Sequence, residues 1–211
     1  SLKSLKVSML TLIRRMKSLI NSNVAKSTFD DVSVHLTDWY RTRPGKALLQ
    51  AQMKQLDQLT TQCFGFHAVQ LTPVRFKLPL QELRITHRLS IHPDRSVHPD
   101  IQADFEDLPL SGQSIDFLLM HHALDYSADP HAMLREVERV MVSNGYIAIV
   151  GFNPWSLWGI YSYFARFFSS NPVYRTTRIR RGRLLDWLKL LDLTPVNIQH
   201  ASFITPMPNV S

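Results

Sequence analysis

The chain has 211 residues, 45% of them hydrophobic and 10% aromatic, and a formal net charge of +7. This length suits one α/β domain with an additional arm and is short for two separate cores. The apolar content excludes wholesale disorder, and no apolar run reaches the roughly 18 residues that a membrane-spanning helix needs. A single cysteine excludes an intrachain disulfide and fits a reducing compartment. We therefore expect a soluble, cytoplasmic protein.

The positive charge is concentrated at the N terminus. Residues 1–28 contain no acid and carry six basic side chains, which are Lys3, Lys6, Arg14, Arg15, Lys17 and Lys26. The remaining residues therefore contribute only +1, so the charge does not indicate a surface that binds nucleic acid. Apolar residues at helical spacing predict a basic amphipathic helix in this arm. It could dock on protein, lie on an anionic membrane surface or be a transit peptide, and we favour docking on protein.

Between residues 38 and 91 the sequence alternates between helical and strand patterns. Pro44 and Gly45 break the chain ahead of a stripe of leucine and methionine at helical spacing, which predicts one helix that runs to Thr61. The stretch FGFHAVQL predicts a first strand and TPVRFKLP a turn. RITHRLSI, with apolar residues alternating from Ile85 to Ile91, predicts the second strand.

The next part of the chain continues the alternation. IQAD predicts a short strand that ends at Asp104, and the apolar run IDFLLMHHAL is typical of a buried strand. Asp129 and Pro130 are strong start signals for a helix, which Asn144 and Gly145 are predicted to end. YIAIVGF then has the character of a strand buried in a parallel sheet.

Strands that alternate with helices predict an α/β fold with a doubly wound, mostly parallel sheet between two helical layers. Residues 29–211 would form this domain, behind the arm of residues 1–28. Ligands in such sheets bind outside the carboxyl ends of the strands. Five residues fall at or just past predicted strand ends and should meet at that edge, namely Asp104, His121, His122, Gly151 and Asn153.

The stretch IHPDRSVHPD repeats His-Pro-Asp at residues 92–94 and 98–100. Two histidines and two carboxylates could ligate a metal ion, but ligands six residues apart in a loop converge only if the loop folds back. Proline and aspartate are also typical turn residues. We favour the turn and predict no metal site.

Residues 103–154 resemble the second half of a class I S-adenosylmethionine-dependent methyltransferase. Their sequence is ADFEDLPLSGQSIDFLLMHHALDYSADPHAMLREVERVMVSNGYIAIVGFNP. Asp104 followed by Phe105, the LPL turn, Asp116 in the next strand and the SNG turn carry the resemblance. It implies a Rossmann-like fold and S-adenosylmethionine as cofactor. It also implies that Asp104 accepts a hydrogen bond from the adenine amino group, while Phe105 offers its backbone amide and flanks the base.

The first half departs from the family pattern. Where the family has an acid and a glycine-rich loop after the first strand, this chain has Gln70, Leu71, Thr72, Pro73, Val74 and Arg75, without a glycine. The acid that holds the ribose in the family is also absent from the end of the second strand, and Asp94 is the nearest substitute. The resemblance implies Leu71, Thr72, Asp94 and His121 as further cofactor contacts, in a degenerate loop.

The last part of the chain leaves several interpretations open. An aromatic segment after residue 154 is predicted to form a helix that either shapes a lipophilic acceptor site or covers the sheet. Five arginines between residues 175 and 183 either clamp a phosphate or, as we favour, lie in solvent before the amphipathic helix LLDWLKLLDL. Only one of the two closing strands of the family has a candidate segment, TPVNIQHASFIT.

His121 and His122 are the candidate catalytic residues. At the end of the fourth strand a histidine could act as general base toward an acceptor hydroxyl or amine. Strand alternation should point the two side chains to opposite sides, so we expect at most one of them to face a pocket.

Two functions of different class follow from the sequence. One is an S-adenosylmethionine-dependent methyltransferase that acts on a small or lipophilic acceptor. The alternative is a catalytically inactive methyltransferase-like module. It would bind a protein or an anionic membrane surface through the arm, or a partner through the arginine run or the open sheet edge. The match of residues 103–154, which includes Asp104, favours the enzyme. The loop without glycine after the first strand favours the module.

Overall fold

The computed structural model describes residues 29–152, 179, 181–191 and 193. The elements in chain order are helical residues 29–41 (α1), α2 (Arg43–Thr60), β1 (His67–Leu71), β2 (His87–His92), β3 (Ile101–Gln102), β4 (Ile115–His121), α3 (Ala123–Tyr126), α4 (Pro130–Val140), β5 (Met141–Val150) and α5 (Arg181–Leu190). The predicted arm, the aromatic helix and the closing strand lie outside the described residues. No helix in the described part is long and apolar enough to cross a membrane.

The five strands form one sheet in the order β3-β2-β1-β4-β5, and every neighbouring pair is parallel. The carboxyl ends of all five strands therefore lie along one edge, which we call the carboxyl edge. The chain moves from β1 outward to β3 and then returns to the other side of β1 with β4. This reversal opens a crevice between the ends of β1 and β4, where ligands of such sheets bind. The predicted parallel, doubly wound sheet is confirmed.

Apolar side chains pack on both faces of the sheet. Along β4, Leu118 and Met120 join a cluster that includes α4 and α5, whereas Phe117 and Leu119 join a cluster that includes α1 and α2. Successive strand residues point to opposite faces, so a strand covered on both sides reads as a continuous apolar run. The helices thus form one layer on each side of the sheet, as the sequence predicts.

Helix α4 begins as predicted and ends earlier. Asp129 caps it by accepting hydrogen bonds from the backbone amides of His131 and Ala132, and Pro130 is its first residue. The helix ends at Val140, not at the SNG turn. The register with β4 shifts between Met141 and Tyr146, so the SNG residues form a bulge inside β5.

Strand β1 begins at His67, three residues after the start of the predicted stretch FGFHAVQL. Phe66 is 77% exposed and precedes the strand. The carboxylate of Asp116 on β4 accepts hydrogen bonds from the backbone amides of Phe66 and His67, both at 2.9 Å. A Cβ on Gly65, which has a φ of 153°, would lie 2.3 Å from the Asp116 side chain. Asp116 and Gly65 together therefore fix the entry to β1.

Gly45 allows α1 and α2 to pack closely at their junction. Thr42 caps α2, with its hydroxyl accepting from the Gly45 amide at 3.2 Å. The predicted break therefore falls at Thr42, and Pro44 and Gly45 lie in the first turn of α2. A Cβ on Gly45 would lie 2.1 Å from the carbonyl oxygen of Trp39. Because the obstructing atom belongs to the backbone, only glycine lets α1 fold back and place Tyr40 at the carboxyl edge.

We expect Gly45→Ala to destabilise the protein by at least about 1–3 kcal/mol, since the added methyl group forces the two helices apart. The urea midpoint of unfolding, followed by circular dichroism, measures this change. Gly182→Ala on α5 is the matched control, because a Cβ there meets no described atom within 4 Å and alanine favours helix by up to about 1 kcal/mol. Equal midpoints for wild type and Gly45→Ala would contradict the close approach.

Candidate active site at the carboxyl edge of the sheet

The carboxyl edge brings together the residues predicted from the strand ends. In order along the sheet they are Asp104 after β3, Asp94 two residues past the end of β2, Thr72 after β1, His121 and His122 at and just past the end of β4, and Gly151 after β5. Asn153 lies outside the described residues. Strand β2 ends at His92, one residue beyond the predicted Ile91, so a histidine occupies the strand end where the family pattern has an acid.

Asp104 and Phe105 differ in their surroundings. Asp104 is exposed, and within the described part of the chain its carboxylate has no hydrogen-bond partner, so it is available to a donor from a ligand. Phe105 is buried in the core, and its ring contacts that of Phe29 edge to face at 5.7 Å. The aromatic side chain therefore packs beneath α1, while the acid beside it faces solvent.

The segment after β1 is tightly held although it lacks glycine. Leu71 is fully buried in the core, which leaves only its backbone for a ligand. The Thr72 hydroxyl lies 3.2 Å from Nδ1 of His121 and accepts a hydrogen bond from the Val74 amide. The side chains of Thr72 and Val74 are both buried. These contacts close the segment down onto the end of β4.

Asp94 is already paired in this structure. Its Oδ2 lies 2.9 Å from a guanidinium nitrogen of Arg75. Hydrogen bonds from the Ser96 hydroxyl, and then the Ser96 amide and the Arg75 charge, outweigh partial burial and lower the pKa of Asp94. Asp94 also caps the short 3-10 turn Arg95–Val97. The residues between the two His-Pro-Asp repeats thus form a short turn, and no group of three metal-ligating side chains occurs in the described residues.

Helix α1 lies across the carboxyl edge. The Phe29 ring contacts that of His92 at 5.7 Å, and the Ser33 hydroxyl lies 3.3 Å from Nε2 of His92. Arg75 donates from Nε to Ser33 and from its backbone amide to the Thr37 hydroxyl. Burial lowers the pKa of His92, so its ring is neutral at pH 7. The same helix therefore contacts the ends of β1, β2 and β3.

His121 and His122 do not point to opposite sides, and that prediction is wrong. His122 has a left-handed backbone, with φ of 56°, because β4 ends at His121 and the chain turns sharply into α3. This turn places the two rings 4.5 Å apart. Both rings contact Tyr40, and both side chains are buried.

The two histidines belong to a buried hydrogen-bonded network. His122 contacts Asp125 through Nδ1 at 2.9 Å and the Tyr40 hydroxyl through Nε2 at 2.9 Å. Asp125 also accepts a hydrogen bond from the Phe152 amide. Oε1 of Gln52 lies 3.2 Å from the Tyr40 hydroxyl and 3.3 Å from Nε2 of His121. The network therefore joins α1, α2, β4, α3 and the end of β5.

Burial sets the protonation of this network. It raises the pKa of Asp125 to about 8 and lowers that of His122 to about 3. It also lowers the pKa of His121 and raises that of Tyr40. In each case burial shifts the pKa so that the neutral form of the side chain is favoured. At neutral pH the Asp125 and His122 pair therefore carries no net charge and holds one proton between Oδ2 and Nδ1.

Sequence reasoning missed several residues of this edge. Asp125 lies three positions after His122, and that spacing is a local signal that could have been used. Phe29, Tyr40 and Gln52 come from helices distant in sequence, and no local pattern indicates that they contact the strand ends.

The raised pKa of Asp125 predicts how stability depends on pH. An aspartate that is protonated up to about pH 8 in the folded state, against about 3.9 unfolded, loses its stabilising effect as the pH rises. The lowered pKa of His122 has the opposite effect, but only below about pH 6.5. Between pH 6.5 and 8 we therefore expect the free energy of unfolding to fall by on the order of 2 kcal/mol.

Urea unfolding at several pH values measures this decline, which Asp125→Asn should remove. Asp129→Asn is the matched control, because Asp129 is an exposed helix cap, and it should retain the decline. A decline of the same size in Asp125→Asn would assign the effect to other groups.

Comparison with known proteins agrees with this geometry. Residues 83–149 match a family model described as a methyltransferase domain. The chain is 30% identical over 164 residues to YafS of Escherichia coli strain K12, described as uncharacterized, and the match covers 78% of this chain. It spans 66% of the length of that relative.

Solved structures share the fold at low sequence identity. A S-adenosylmethionine-dependent methyltransferase of Thermotoga maritima matches with a TM-score of 0.59 and 16% identity, over 78% of this chain and 79% of that one. Geranyl diphosphate C-methyltransferase of Streptomyces coelicolor matches with a TM-score of 0.52 and 15% identity, over 70% and 61% of the two chains. The chain thus has the fold of class I S-adenosylmethionine-dependent methyltransferases and contains a match to a methyltransferase domain at residues 83–149.

Proposed function

We propose that the protein is a S-adenosylmethionine-dependent methyltransferase that acts on a small or lipophilic acceptor. The observation that carries this proposal is Asp104. It is an exposed carboxylate directly after β3, it has no partner among the described residues, and it lies inside the segment that matches the methyltransferase domain. The Streptomyces coelicolor neighbour was solved with S-adenosylhomocysteine, the product form of the same cofactor, which supports this choice of ligand.

The proposed cofactor contacts follow the carboxyl edge from β3 toward β4. Asp104 accepts a hydrogen bond from the adenine amino group, and the backbone of Phe105 lies beside the base. The Asp94 carboxylate accepts hydrogen bonds from the ribose hydroxyls, which requires its ion pair with Arg75 to break at least in part. Leu71 contributes its backbone, and Thr72 and His121 flank the crevice between β1 and β4.

The chemistry needs little from the protein beyond position. The cofactor supplies an activated methyl group on a cationic sulfur, and transfer requires the acceptor atom in line with the sulfur–carbon bond. A cationic sulfonium is favoured where few other positive charges lie near it. The Asp94 carboxylate partly balances the guanidinium charge of Arg75, which also donates from Nε to the Ser33 hydroxyl.

A second function is favoured by the segment after β1. The buried side chains of Thr72 and Val74 and the Arg75 to Asp94 ion pair fill space where the family has a glycine-rich loop. A module that no longer binds the cofactor would keep these contacts and use the fold to bind a protein or an anionic membrane surface. Cofactor binding separates the two functions directly.

We expect S-adenosylmethionine and S-adenosylhomocysteine to bind the full-length protein with micromolar affinity in isothermal titration calorimetry. Asp104→Ala should weaken both by at least about tenfold, since a hydrogen bond to a charged group contributes roughly 1.5–3 kcal/mol. Asp107→Ala, an exposed acid in the same turn, is the matched control and should bind like wild type.

Two results would count against the enzyme. Absence of binding by a folded wild-type protein at millimolar ligand would favour the binding module. Equal affinities for wild type and Asp104→Ala would show that the cofactor lies elsewhere.

A further inference from the structure

The chain of contacts from Tyr40 through His122 to Asp125 has the geometry of a proton acceptor with its positioning group. His122 lies directly after β4, at the crevice beside β1 where the proposed cofactor and acceptor meet. Its two ring nitrogens face different partners, Nδ1 facing a carboxyl group and Nε2 facing a hydroxyl group.

We propose that Asp125 is a positioning residue, which fixes the ring of His122 so that Nε2 takes the proton from an acceptor hydroxyl or amine during methyl transfer. The proposal rests on the proposed function and adds the acceptor class to it. The acceptor would attack through an O–H or N–H group, not through a carbon or a sulfide that has no proton to lose.

The ring of His122 is held from several directions. Asp125 lies 2.9 Å from Nδ1 and is itself fixed by the Phe152 amide at 3.0 Å. The Phe152 ring stacks on the imidazole at 4.0 Å, and the left-handed backbone of His122 turns the ring inward. A ring fixed in this way keeps Nε2 aimed at one place, which is what a general base requires.

The Tyr40 hydroxyl marks the place of the acceptor. It lies 2.9 Å from Nε2, the distance at which an acceptor hydroxyl would transfer its proton. Tyr40 belongs to α1, and that helix contacts the carboxyl edge through hydrogen bonds of Ser33, Thr37 and Tyr40. We infer that an acceptor takes the position of this hydroxyl as Tyr40 moves aside.

The proton balance of the step is complete. When the pair has lost one of its two protons, the remaining proton lies on Nδ1 and is donated to the Asp125 carboxylate, so Nε2 has a free lone pair. The acceptor then gives its proton to Nε2 and forms a bond to the methyl carbon. The sulfur–methyl bond breaks, and its electron pair stays on sulfur as a thioether. The imidazolium that results lies beside the Asp125 carboxylate, which stabilises it.

The titratable groups that face the pair come from three elements. They are Tyr40 on α1, His121 at the end of β4 and Tyr126 on α3. Burial raises the pKa of both tyrosines and lowers that of His121, so all three are neutral near pH 8. The raised pKa of Asp125, about 8, then describes the loss of one proton from the pair as a whole.

The test follows the His122 ring by nitrogen NMR in the full-length protein labelled with 15N-histidine. In wild type we expect one histidine to change from the Nε2–H to the Nδ1–H tautomer with a midpoint near pH 8. Asp125→Asn should abolish that step, Asp125→Glu should restore it, and Tyr40→Phe should keep it because Asp125 remains. A merely structural role of Asp125 would not move the tautomer.

Calorimetry with S-adenosylmethionine on the same samples separates this inference from the proposed function. Wild-type protein that binds the cofactor but shows no tautomer step near pH 8, or the same step in Asp125→Asn, would overturn the inference alone. Wild-type protein that does not bind the cofactor would overturn the proposed function. If Asp125→Asn fails to fold, wild type, Asp125→Glu and Tyr40→Phe decide the matter.

Discussion

The structure depends on one requirement at the carboxyl edge of the sheet: polar side chains that are buried there must be hydrogen-bonded to one another. Removing a hydroxyl or an imidazole from water without a partner costs several times what a typical hydrogen bond contributes. His92, His121, His122 and Thr72 are all buried at this edge, and each has a partner. Within the described residues the single buried side-chain atom without a partner is Oδ1 of Asp30.

That requirement explains the placement of α1 and α2. The partners of the edge come from these helices, chiefly Ser33, Thr37, Tyr40 and Gln52, and only the close approach at Gly45 lets both helices reach it. A cover attached by hydrogen bonds can open in favour of a polar ligand, because the ligand can replace the bonds that it breaks. In the proposed site, the segment without glycine after β1 forms one wall and helix α1 forms the cover.

Much of the fold could be predicted from the sequence, since its signals are local. Asp129 and Pro130 mark the start of α4, and the apolar run from Ile115 indicates a strand that is buried on both faces. The position of Asp104 at the carboxyl edge follows from its place at the end of a predicted strand in a parallel sheet. The direction in which the His122 ring points could not be predicted, because the left-handed backbone of this residue depends on how β4 meets α3. The end of α4 was missed because pairing with Ile115 draws Met141 into the sheet.

A crystal structure of the full-length protein grown with S-adenosylhomocysteine tests the central claim most directly. The account predicts the adenine amino group within hydrogen-bonding distance of Asp104 and the ribose beside Asp94, with Arg75 turned at least partly away. The thioether sulfur should lie in the crevice between β1 and β4. Ligand bound away from the carboxyl edge, or α1 unmoved over an edge that holds no ligand at saturating concentration, would contradict the account.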